Sequence, residues 1–376
     1  MSASCTEVAY IANTTALGGA ERYLLTLING MGGTRCRVFM PESPAAVEFV
    51  ARSGHGVQMD VLRTCGYSLN PREFLRSAQF YRKLESHIIH FNLGNPCAST
   101  VDIVAARGTT RARIVATTHL PTIAETRRER LAAWAALRCA HVVVAVCESA
   151  RRYLIESGVP GSRVTVIYNG VEDWETDPTK LAELRSDLGL CNSGLVIGTI
   201  ARLETQKGLG HLIRAFKTML SRVPDALLCV IGEGTERSSL ELLARELGVS
   251  DRVRLCGWRD DARDVLRLFD VFALPSLFES FPFVIPEAML AAKPVVASDV
   301  GGVGEAVADG VTGILVKPGD VDSLSKAIAQ LAISREARIE MGLRARAVAL
   351  DRFSAEAMVS RTRRLYQELL TGSTGS

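Results

Sequence analysis

The sequence predicts an α/β fold in which two doubly wound domains face a central cleft. Short runs rich in Val and Ile alternate with helical patterns along most of the 376 residues, as in parallel sheets covered by helices. The alternation stops at residues 172–193, which are acidic and polar, and then restarts. A chain of this length is also too long for one ordinary hydrophobic core. We therefore predict a Rossmann-like domain over residues 1–172, a linker and second such domain over 173–352, and a last helix with a tail over 353–376.

Seven short apolar runs predict the strands of the first domain: EVAYIAN, RCRVFM, GVQMDVL, SHIIHF, ARIVATT, HVVVAVC and RVTVIY. Helical patterns lie between them, for example AERYLLTLING and NPREFLRSAQFYRKLES. The longest apolar stretch, LAAWAALRCAHVVVAVC, is short for a membrane span and carries Arg138 and His141 near its middle. It is therefore predicted to be the end of a helix, a turn and a buried strand.

Six further runs predict the strands of the second domain: LVIGTIA, ALLCVIG, RVRLCG, DVFALP, PVVAS and GILV. Between the first two, the helix GLGHLIRAFKTMLSR places its apolar side chains on one face. These are Leu209, Leu212, Ile213, Phe216 and Leu220. Residues 354–370 predict a long final helix with Met358, Leu365 and Leu369 on one stripe, packing back on the first domain, and the closing TGSTGS is expected to be disordered.

Charge and cysteine content exclude several classes of protein. Residues 1–172 carry 19 Lys and Arg against 13 Asp and Glu, which leaves an anionic acceptor or membrane surface open beside an ordinary solvated surface. The nine cysteines show no CxxC spacing, and Cys139, Cys147, Cys229 and Cys256 sit singly in apolar surroundings. We expect buried thiols in a reducing cytoplasm rather than a disulfide framework or zinc site. No signal peptide is visible at the start, so a cytoplasmic protein is predicted.

Two cations follow the first strand of the second domain. In IGTIARLETQKGLGHL the strand is followed by Arg202, then Lys207, then Gly208 and a helix. Ligands of open parallel sheets bind beyond the carboxyl ends of the strands. Paired cations beside free N–H groups at a helix start suit a diphosphate, although two solvated loop cations would give the same pattern.

Glycines follow other strands. Gly18 and Gly19 open a helix after the first strand, where backbone can approach a phosphate, and Gly232 follows the strand ALLCVI. Either motif is also compatible with a simple turn. No acid ends the strand RVFM, where a dinucleotide-binding fold would place one, which weakens a dehydrogenase interpretation. Trp258 lies in a strand-end loop where a base could pack, or it belongs to the core.

Histidines give weaker signals. His119 ends the strand ARIVATT and is predicted to be either structural or part of a site. His87 and His90 have HxxH spacing, but in a strand they point to opposite faces, so no metal site is expected there.

Two acids interrupt the apolar stretch LPSLFESFPFVIPEAML. Pro282 and Pro286 forbid one continuous helix, so Glu279 is predicted to end a loop after the strand DVFALP. A helix then starts near Pro286, with Glu287 in its first turn, where the helix dipole favours a carboxylate. Both acids are expected to face the strand-end cleft. A glycosidase pair is possible, but the nearby cations favour a phosphate leaving group.

The stretch FESFPFVIPEAMLAAKPVVASDVGGVGE resembles the E-x7-E signature of retaining glycosyltransferases of family 4, which have the GT-B fold. Supporting matches follow in order along nearly the whole chain: GGAER, VIYNGV, IARLETQKG, IGEG, GW and GILVKPGD. The resemblance implies transfer of a hexosyl or N-acetylhexosaminyl group from a nucleotide diphosphate sugar to an acceptor hydroxyl, with retention of the anomeric configuration. A UDP-linked sugar is the first expectation for the donor. The acceptor would be a small molecule, a saccharide or a lipid-linked compound, bound by the first domain, with the donor on the second.

The resemblance also implies roles for individual residues. Arg202 and Lys207 would hold the diphosphate, Glu287 the ribose diol, and Glu279 the transferred sugar. Catalytic roles would fall to Glu279, Arg202, Lys207 and His119. The implied donor site comprises Gly18, Gly19, Arg202, Lys207, Gly232, Trp258, Ser280, Phe281, Pro282, Phe283 and Glu287. Neither a metal nor a cofactor is expected, because two cations and a helix start can neutralise the leaving phosphate. The alternatives are a nucleotide-sugar epimerase or a non-catalytic nucleotide-sugar-binding protein on the same fold. Peripheral contact with an anionic membrane remains open, and no nucleic acid is expected.

Overall fold

The computed structural model describes residues 6–54, 57–62, 71–95, 97–120, 126–191 and 194–372. The chain divides into two compact units, one of residues 1–172 with 355–376 and the other of residues 173–354. The final TGSTGS, expected to be disordered, lies largely outside the described residues. None of the helices in the described ranges is both long and apolar enough to cross a membrane.

The first unit holds a parallel sheet in the order β3-β2-β1-β4-β5-β6-β7. All seven predicted strands are confirmed. They are β1 (Glu7–Ile11), β2 (Arg35–Met40), β3 (Gln58–Val61), β4 (Ile88–Leu93), β5 (Arg113–Thr118), β6 (Val142–Ala145) and β7 (Val164–Val166). The strand order reverses between β1 and β4, which pair directly, so the crevice at their carboxyl ends is the place where such a sheet binds ligands.

The helices of this unit connect the strands, and the last helix of the chain joins them. They are α1 (Gly19–Gly30), α2 (Pro44–Arg52), α3 (Pro71–Lys83), α4 (Thr100–Thr109), α5 (Arg127–Cys139), α6 (Glu148–Glu156) and α15 (Ala355–Thr371). A 3₁₀ turn at Gly161–Arg163 precedes β7.

The final helix α15 packs on the first unit, as predicted. The Ala355 amide donates to the Val171 carbonyl at 2.9 Å, and α15 lies against α1. Its buried stripe differs from the predicted one, because Leu365 is only half-buried and Tyr366 is buried instead. The Tyr366 hydroxyl contacts Nδ1 of His90, and Nε2 of the same ring lies 2.7 Å from Thr117 Oγ1. A polar contact therefore anchors the middle of this stripe, which an apolar pattern cannot indicate.

The second unit holds a parallel sheet in the order β10-β9-β8-β11-β12-β13. Its six strands all coincide with predicted ones. They are β8 (Leu195–Ile200), β9 (Ala226–Ile231), β10 (Val253–Leu255), β11 (Val271–Leu274), β12 (Val295–Ser298) and β13 (Gly313–Val316). The strand order reverses between β8 and β11, so the carboxyl ends of these two strands form the switch point of this sheet.

Helices cover the second sheet. They are α7 (Pro178–Asp187), α8 (Leu209–Met219), α9 (Arg237–Glu246), α10 (Ala262–Leu266), α11 (Val284–Leu290), α12 (Val303–Ala306), α13 (Val321–Ile333) and α14 (Arg335–Arg352). A 3₁₀ turn at Thr205–Lys207 precedes α8. The predicted apolar face of α8 lies in the core, with Leu220 partly buried at its edge. This face and the strands it covers fix the position of the loop that precedes α8.

The cysteines depart from the prediction that all are buried and isolated. Cys147 and Cys229 are buried, but Cys139 and Cys256 are only half-buried. Cys229 and Cys256 are not isolated either, since the sulfur of Cys229 on β9 lies 3.7 Å from that of Cys256, which directly follows the neighbouring strand β10. Leu228, Val230 and Val253 point into the core of this unit, so the two cysteines share the opposite face of the sheet.

Candidate functional site

The two loops at the switch point of the second sheet are joined to each other. One loop carries the turn Thr205–Lys207 after β8, and the other follows β11. The Leu277 amide donates to the Gln206 carbonyl at 2.8 Å, and Gln206 Nε2 donates to the Phe278 carbonyl at 2.7 Å. The side chains that follow β8 and β11 are therefore held at one edge of the sheet, although more than 60 residues separate them in sequence.

Gly208 allows the close approach of these loops. Its φ is +63°, in the left-handed region, and a Cβ at this position would lie 2.2 Å from the Pro275 carbonyl oxygen. Only glycine satisfies both conditions without strain. The chain then enters α8, whose first N–H groups lie directly after Lys207. The sequence prediction of cations before a helix start is confirmed in this local geometry.

Lys207 and Glu279 form a largely buried ion pair. Lys207 Nζ lies 2.6 Å from Glu279 Oε1, and the two side chains are 14% and 7% exposed. Ser276 Oγ donates to the same carboxylate oxygen at 2.7 Å. Buried carboxylates require a cation or several hydrogen bonds, and this one has both kinds of partner. The resemblance implied separate tasks for these two residues, phosphate for Lys207 and sugar for Glu279, whereas their side chains form one ion pair.

Arg202 lies after β8 with its guanidinium exposed. Its side chain is 62% exposed and its NH1 group lies 2.7 Å from Glu204 Oε1. A pair so exposed holds its partners weakly, because solvent screens the attraction. The guanidinium is therefore available to an incoming anion at little cost.

The residues after Glu279 offer backbone groups more than side chains. Ser280 and Phe281 are buried, and the Phe281 ring packs against Phe353 with 5.3 Å between centroids. The Ser280 carbonyl accepts from the Gly302 amide at 2.6 Å. Pro282 has no N–H, so it cannot donate a backbone hydrogen bond to a donor in this site. Pro282 and Phe283 are half-buried. Any contact of Phe281 with a ligand is made by its backbone, since its ring belongs to the core.

A second glycine, Gly301, allows the loop after β12 to pack against the backbone of Glu279. Gly301 has φ +55°, and a Cβ there would lie 1.9 Å from the Glu279 carbonyl oxygen. The loop after β12 consequently packs directly on the loop that carries the acid.

Glu287 has its own cation. It lies in the first turn of α11, as predicted, but the helix begins at Val284, two residues before Pro286. Its carboxylate is 6% exposed, and Oε1 lies 3.4 Å from Arg263 Nε. The two acids of the E-x7-E stretch are therefore compensated by different cations, Lys207 for Glu279 and Arg263 for Glu287.

Gly232 and Trp258, both predicted to belong to the donor site, follow the neighbouring strands β9 and β10. The Gly232 amide donates to the Gly257 carbonyl at 2.8 Å. Trp258 follows with its side chain 72% exposed, so it is not part of the core. A cavity of about 340 Å³ opens here, lined by Cys256, Trp258, Arg259, Asp260 and Asp261. Arg259 pairs with Asp261 at 2.7 Å and with Asp187 at 2.6 Å. The hydrogen bond from Arg259 holds the pKa of the Asp261 carboxyl below its usual value.

In the first unit, Gly18 does not present a free amide. The Glu21 carboxylate accepts from the Gly18 N–H at 2.8 Å and so caps the start of α1. Glu21 is buried, and burial raises the pKa of its carboxyl. A phosphate or an acceptor hydroxyl would have to displace this carboxylate to reach the Gly18 amide. Gly19 begins the helix directly after it.

His119 lies just beyond β5, in the position expected from the sequence. Its Nε2 is 2.9 Å from Asn92 Oδ1, and the Asn92 amide nitrogen donates to the Ala20 carbonyl. That second bond fixes the orientation of the amide, so His119 Nε2 must carry the proton. Tyr23 packs against the imidazole, 4.9 Å between centroids, and burial lowers the pKa of His119 to about 3. The ring is therefore neutral at physiological pH.

Sequence reasoning missed several of these residues. Asn92, Glu21, Ser276 and Arg263 act as partners of predicted residues, and only Glu21 had a local signal, its spacing of three residues from Gly18 in a capping box. Among the residues that the structure describes, no group of three or more His, Cys, Asp or Glu side chains is arranged to hold a metal ion.

The chain is similar to known glycosyltransferases over most of its length. The family model for Glycosyltransferase Family 4 matches residues 17–174, and that for Glycosyl transferases group 1 matches residues 182–348. N-acetyl-alpha-D-glucosaminyl L-malate synthase of Bacillus anthracis is 29% identical over 229 residues, which are 61% of this chain and 60% of that protein. A GDP-mannose-dependent alpha-(1-6)-phosphatidylinositol monomannoside mannosyltransferase of Mycolicibacterium smegmatis is 29% identical over 94% of this chain and 95% of its own length.

A solved structure agrees with the fold. Anabaena HepE, determined with UDP, superimposes with a TM-score of 0.85 at 24% identity, covering 96% of this chain and 100% of its own. HepE has also been determined with UDP-glucose. The predicted GT-B fold class is thereby confirmed. The E-x7-E stretch, the two parallel sheets and the two matching family models agree, and the chain belongs to glycosyltransferase family 4.

Proposed function

We propose that this chain is a retaining glycosyltransferase that moves a hexosyl or N-acetylhexosaminyl group from a nucleotide diphosphate sugar to an acceptor hydroxyl. The observation that carries the proposal is the buried Lys207–Glu279 pair beside the start of α8, at the switch point of the second sheet. A cation, helix N–H groups and an acid at that place suit a donor that carries a diphosphate next to a sugar. A UDP-linked donor is the first choice, because HepE has been determined with UDP and UDP-glucose.

Arg202 and Lys207 would hold the diphosphate. Lys207 is anchored by Glu279 before the donor arrives, so its ammonium is already oriented and loses little freedom on binding. The exposed Arg202 guanidinium would turn from Glu204 to the phosphate, where a bidentate contact is stronger than its surface pair. Together with the first amides of α8, these cations would stabilise the charge that grows on the leaving diphosphate.

The transfer would follow a front-face course. The bond between the anomeric carbon and the phosphate oxygen breaks, and the sugar acquires oxocarbenium character. The acceptor oxygen then bonds to the same face of that carbon, and its proton passes to the departing phosphate oxygen, so that configuration is retained. The Glu279 carboxylate, together with the backbone of residues 280–283, would lie at the sugar and oppose its positive charge.

The nucleoside would extend from the diphosphate across the second unit. Glu287 would accept hydrogen bonds from the ribose hydroxyls. The base would lie near Gly232 and the exposed Trp258, where the cavity of about 340 Å³ opens. An exposed indole offers an apolar face that any base can stack on, so this contact supports binding more than discrimination between bases.

In the first unit, His119 would line the sugar pocket and the start of α1 at Gly18 and Gly19 would meet phosphate or acceptor. His119 is held neutral by burial, so it can serve as a hydrogen-bonding group but not as a cation for the phosphate. The acceptor would be a saccharide, a lipid-linked compound or another small molecule.

One experiment tests the function directly. The purified protein is mixed with a panel of nucleotide sugars, and the bound donor is identified by native mass spectrometry, followed by assay of slow donor hydrolysis without acceptor. Binding with release of free sugar and nucleoside diphosphate is the expected result. Conversion of the donor to an epimer would favour the epimerase alternative, and binding without any turnover would favour a silent binding protein.

We also propose that the first turn of α5 contacts anionic membrane surfaces. Arg127, Arg128 and Arg130 are exposed, and Leu131 is 56% exposed. Trp134 does not join this exposed stripe, because it is half-buried. Sedimentation with phosphatidylglycerol vesicles, compared with phosphatidylcholine vesicles, tests the contact, and binding is expected only to the anionic vesicles and to weaken with salt. Equal recovery in both supernatants at low salt would exclude it.

A further inference from the structure

The short helix α10 holds the segment by which the chain enters the second unit. Asp264 accepts from Thr176 Oγ1 at 2.6 Å and lies 2.5 Å from Lys180 Nζ. The Arg267 guanidinium donates to the carbonyl of Trp174. Three separate polar contacts therefore bind residues 174–180 to one turn and a half of helix.

Two guanidinium groups, one from that helix and one from its C-terminal end, lie over the Trp174 indole. The Cζ atom of Arg263 is 4.3 Å from the ring centroid, and that of Arg267 is 5.0 Å away. A guanidinium stacked on an indole face loses much of its freedom, and the attraction is strongest where water is excluded. The Arg263 side chain is 32% exposed, so its stack is partly sheltered.

Arg263 is the one of these two arginines that also meets Glu287. Its Nε lies 3.4 Å from Glu287 Oε1, and the Glu287 side chain is 6% exposed. A carboxylate removed from water in this way needs a compensating cation to stay charged at low cost. The Arg263 guanidinium therefore lies over the Trp174 ring and close to the Glu287 carboxylate at the same time, so the indole contact restricts the positions from which the cation can reach the acid.

We propose that Arg263, held by Trp174, is a positioning residue that fixes the Glu287 carboxylate for the nucleotide ribose. This proposal rests on the proposed function. A carboxylate has two oxygens with several acceptor sites, so Arg263 can hold one edge while ribose hydroxyls donate to the rest. Arg263 does not touch the donor in this arrangement, and its effect on binding passes through Glu287.

A double-mutant cycle separates this role from a general loss of structure. Nucleotide binding is measured by isothermal titration calorimetry with UDP or GDP, whichever binds the wild-type protein more tightly. Arg263→Gln is expected to weaken binding about tenfold while kcat at saturating donor changes less than threefold. In a Glu287→Gln background the same Arg263→Gln change is expected to weaken binding less than twofold, because the group it positions is gone.

Variants of the aromatic support and a matched arginine complete the experiment. Trp174→Leu is expected to weaken nucleotide binding about threefold. Trp174→Phe is expected to keep the wild-type affinity, because phenylalanine retains an aromatic face for the arginine. Arg267→Gln is the control, since Arg267 lies over the same indole, whereas the ion pair with Glu287 is made by Arg263. It is expected to lower the melting temperature without changing nucleotide affinity more than twofold.

Several results would overturn the proposal. Wild-type affinity in Arg263→Gln, equal losses in the wild-type and Glu287→Gln backgrounds, or an equal loss in Arg267→Gln would each show that Arg263 does not act through Glu287. These outcomes leave the proposed transferase function intact, provided that the wild-type protein binds nucleotide. If the wild-type protein binds no nucleoside diphosphate that corresponds to the donor panel, the proposed function fails, and this proposal fails with it.

Discussion

The change Glu279→Gln tests the ion pair at the centre of the candidate site. It removes one negative charge and keeps the size and a hydrogen-bond acceptor of the side chain. Lys207 is only 14% exposed, so its ammonium is left partly buried without the carboxylate that lies 2.6 Å away. Charged hydrogen bonds contribute about 1.5–3 kcal/mol, and breaking a fully buried ion pair costs about 3–5 kcal/mol. For this nearly buried pair we expect a loss of about 2–3 kcal/mol in the free energy of unfolding.

The expected change in melting temperature follows from the size of the second unit. Residues 173–354 form that unit, and in domains of this size each kcal/mol corresponds to about 2–4 °C. Glu279→Gln should therefore lower its melting temperature by about 4–12 °C in differential scanning calorimetry. Glu340→Gln is the matched control, because Glu340 pairs with Arg344 on the exposed surface of α14 at 65% and 51% exposure. Exposed pairs within a helix contribute about 0.3–0.5 kcal/mol, so a shift below about 2 °C is expected.

A second variant identifies the cause of the loss. Lys207→Met in the Glu279→Gln background removes the uncompensated ammonium and is expected to recover part of the lost stability. If Glu279→Gln melts within 1 °C of the wild-type protein, or if the double variant is no more stable than Glu279→Gln alone, the two side chains do not form a buried ion pair in solution and the reasoning is wrong.

Other predictions concern the donor and the buried histidines. Glu287→Gln is expected to weaken donor binding about ten- to a hundredfold with little change in kcat, because a ribose contact changes little on the way to the transition state. Glu279→Gln should instead lower kcat more than donor affinity. Identical kinetic defects in two stable variants would contradict this division. Activity is expected to be complete in excess chelator, and a loss that Mg²⁺ or Mn²⁺ restores would refute metal independence. Burial lowers the pKa of His90 and of His119 from 6.5 to about 3, so the unfolded chain takes up these protons first and the folded state loses stability as pH falls from about 6.5 towards 3. Between pH 6.5 and 5, the free energy of unfolding in urea should fall by about 1 kcal/mol per pH unit for each histidine, and less steeply in His90→Gln. An unchanged free energy of unfolding over this range would be the contrary result.

The sequence by itself determined the fold class and the local setting of the site. Alternating apolar runs and helical patterns located every strand in the part of the chain that the structure describes, and the polar stretch after residue 172 indicated where one sheet ends and the next begins. Pro282 and Pro286 placed Glu279 in a loop and Glu287 in a first helical turn, because proline excludes a continuous helix. These features depend on residues that are neighbours along the chain, so they can be predicted from the sequence.

Only the tertiary structure decided which groups compensate one another. Lys207 meets Glu279 across 72 residues because the neighbours of β8 in the sheet are β9 and β11, and β10 lies on the far side of β9. Arg263 meets Glu287 through the packing of α10 on α11, and Asn92 meets His119 because β4 and β5 are adjacent. The pattern of apolar residues along the chain indicates that a strand is buried, but it does not indicate which strands are neighbours in the sheet. These long-range partners therefore have no local signal in the sequence. The same holds for Tyr366, whose hydroxyl lies against His90 only because the final helix returns to the first unit.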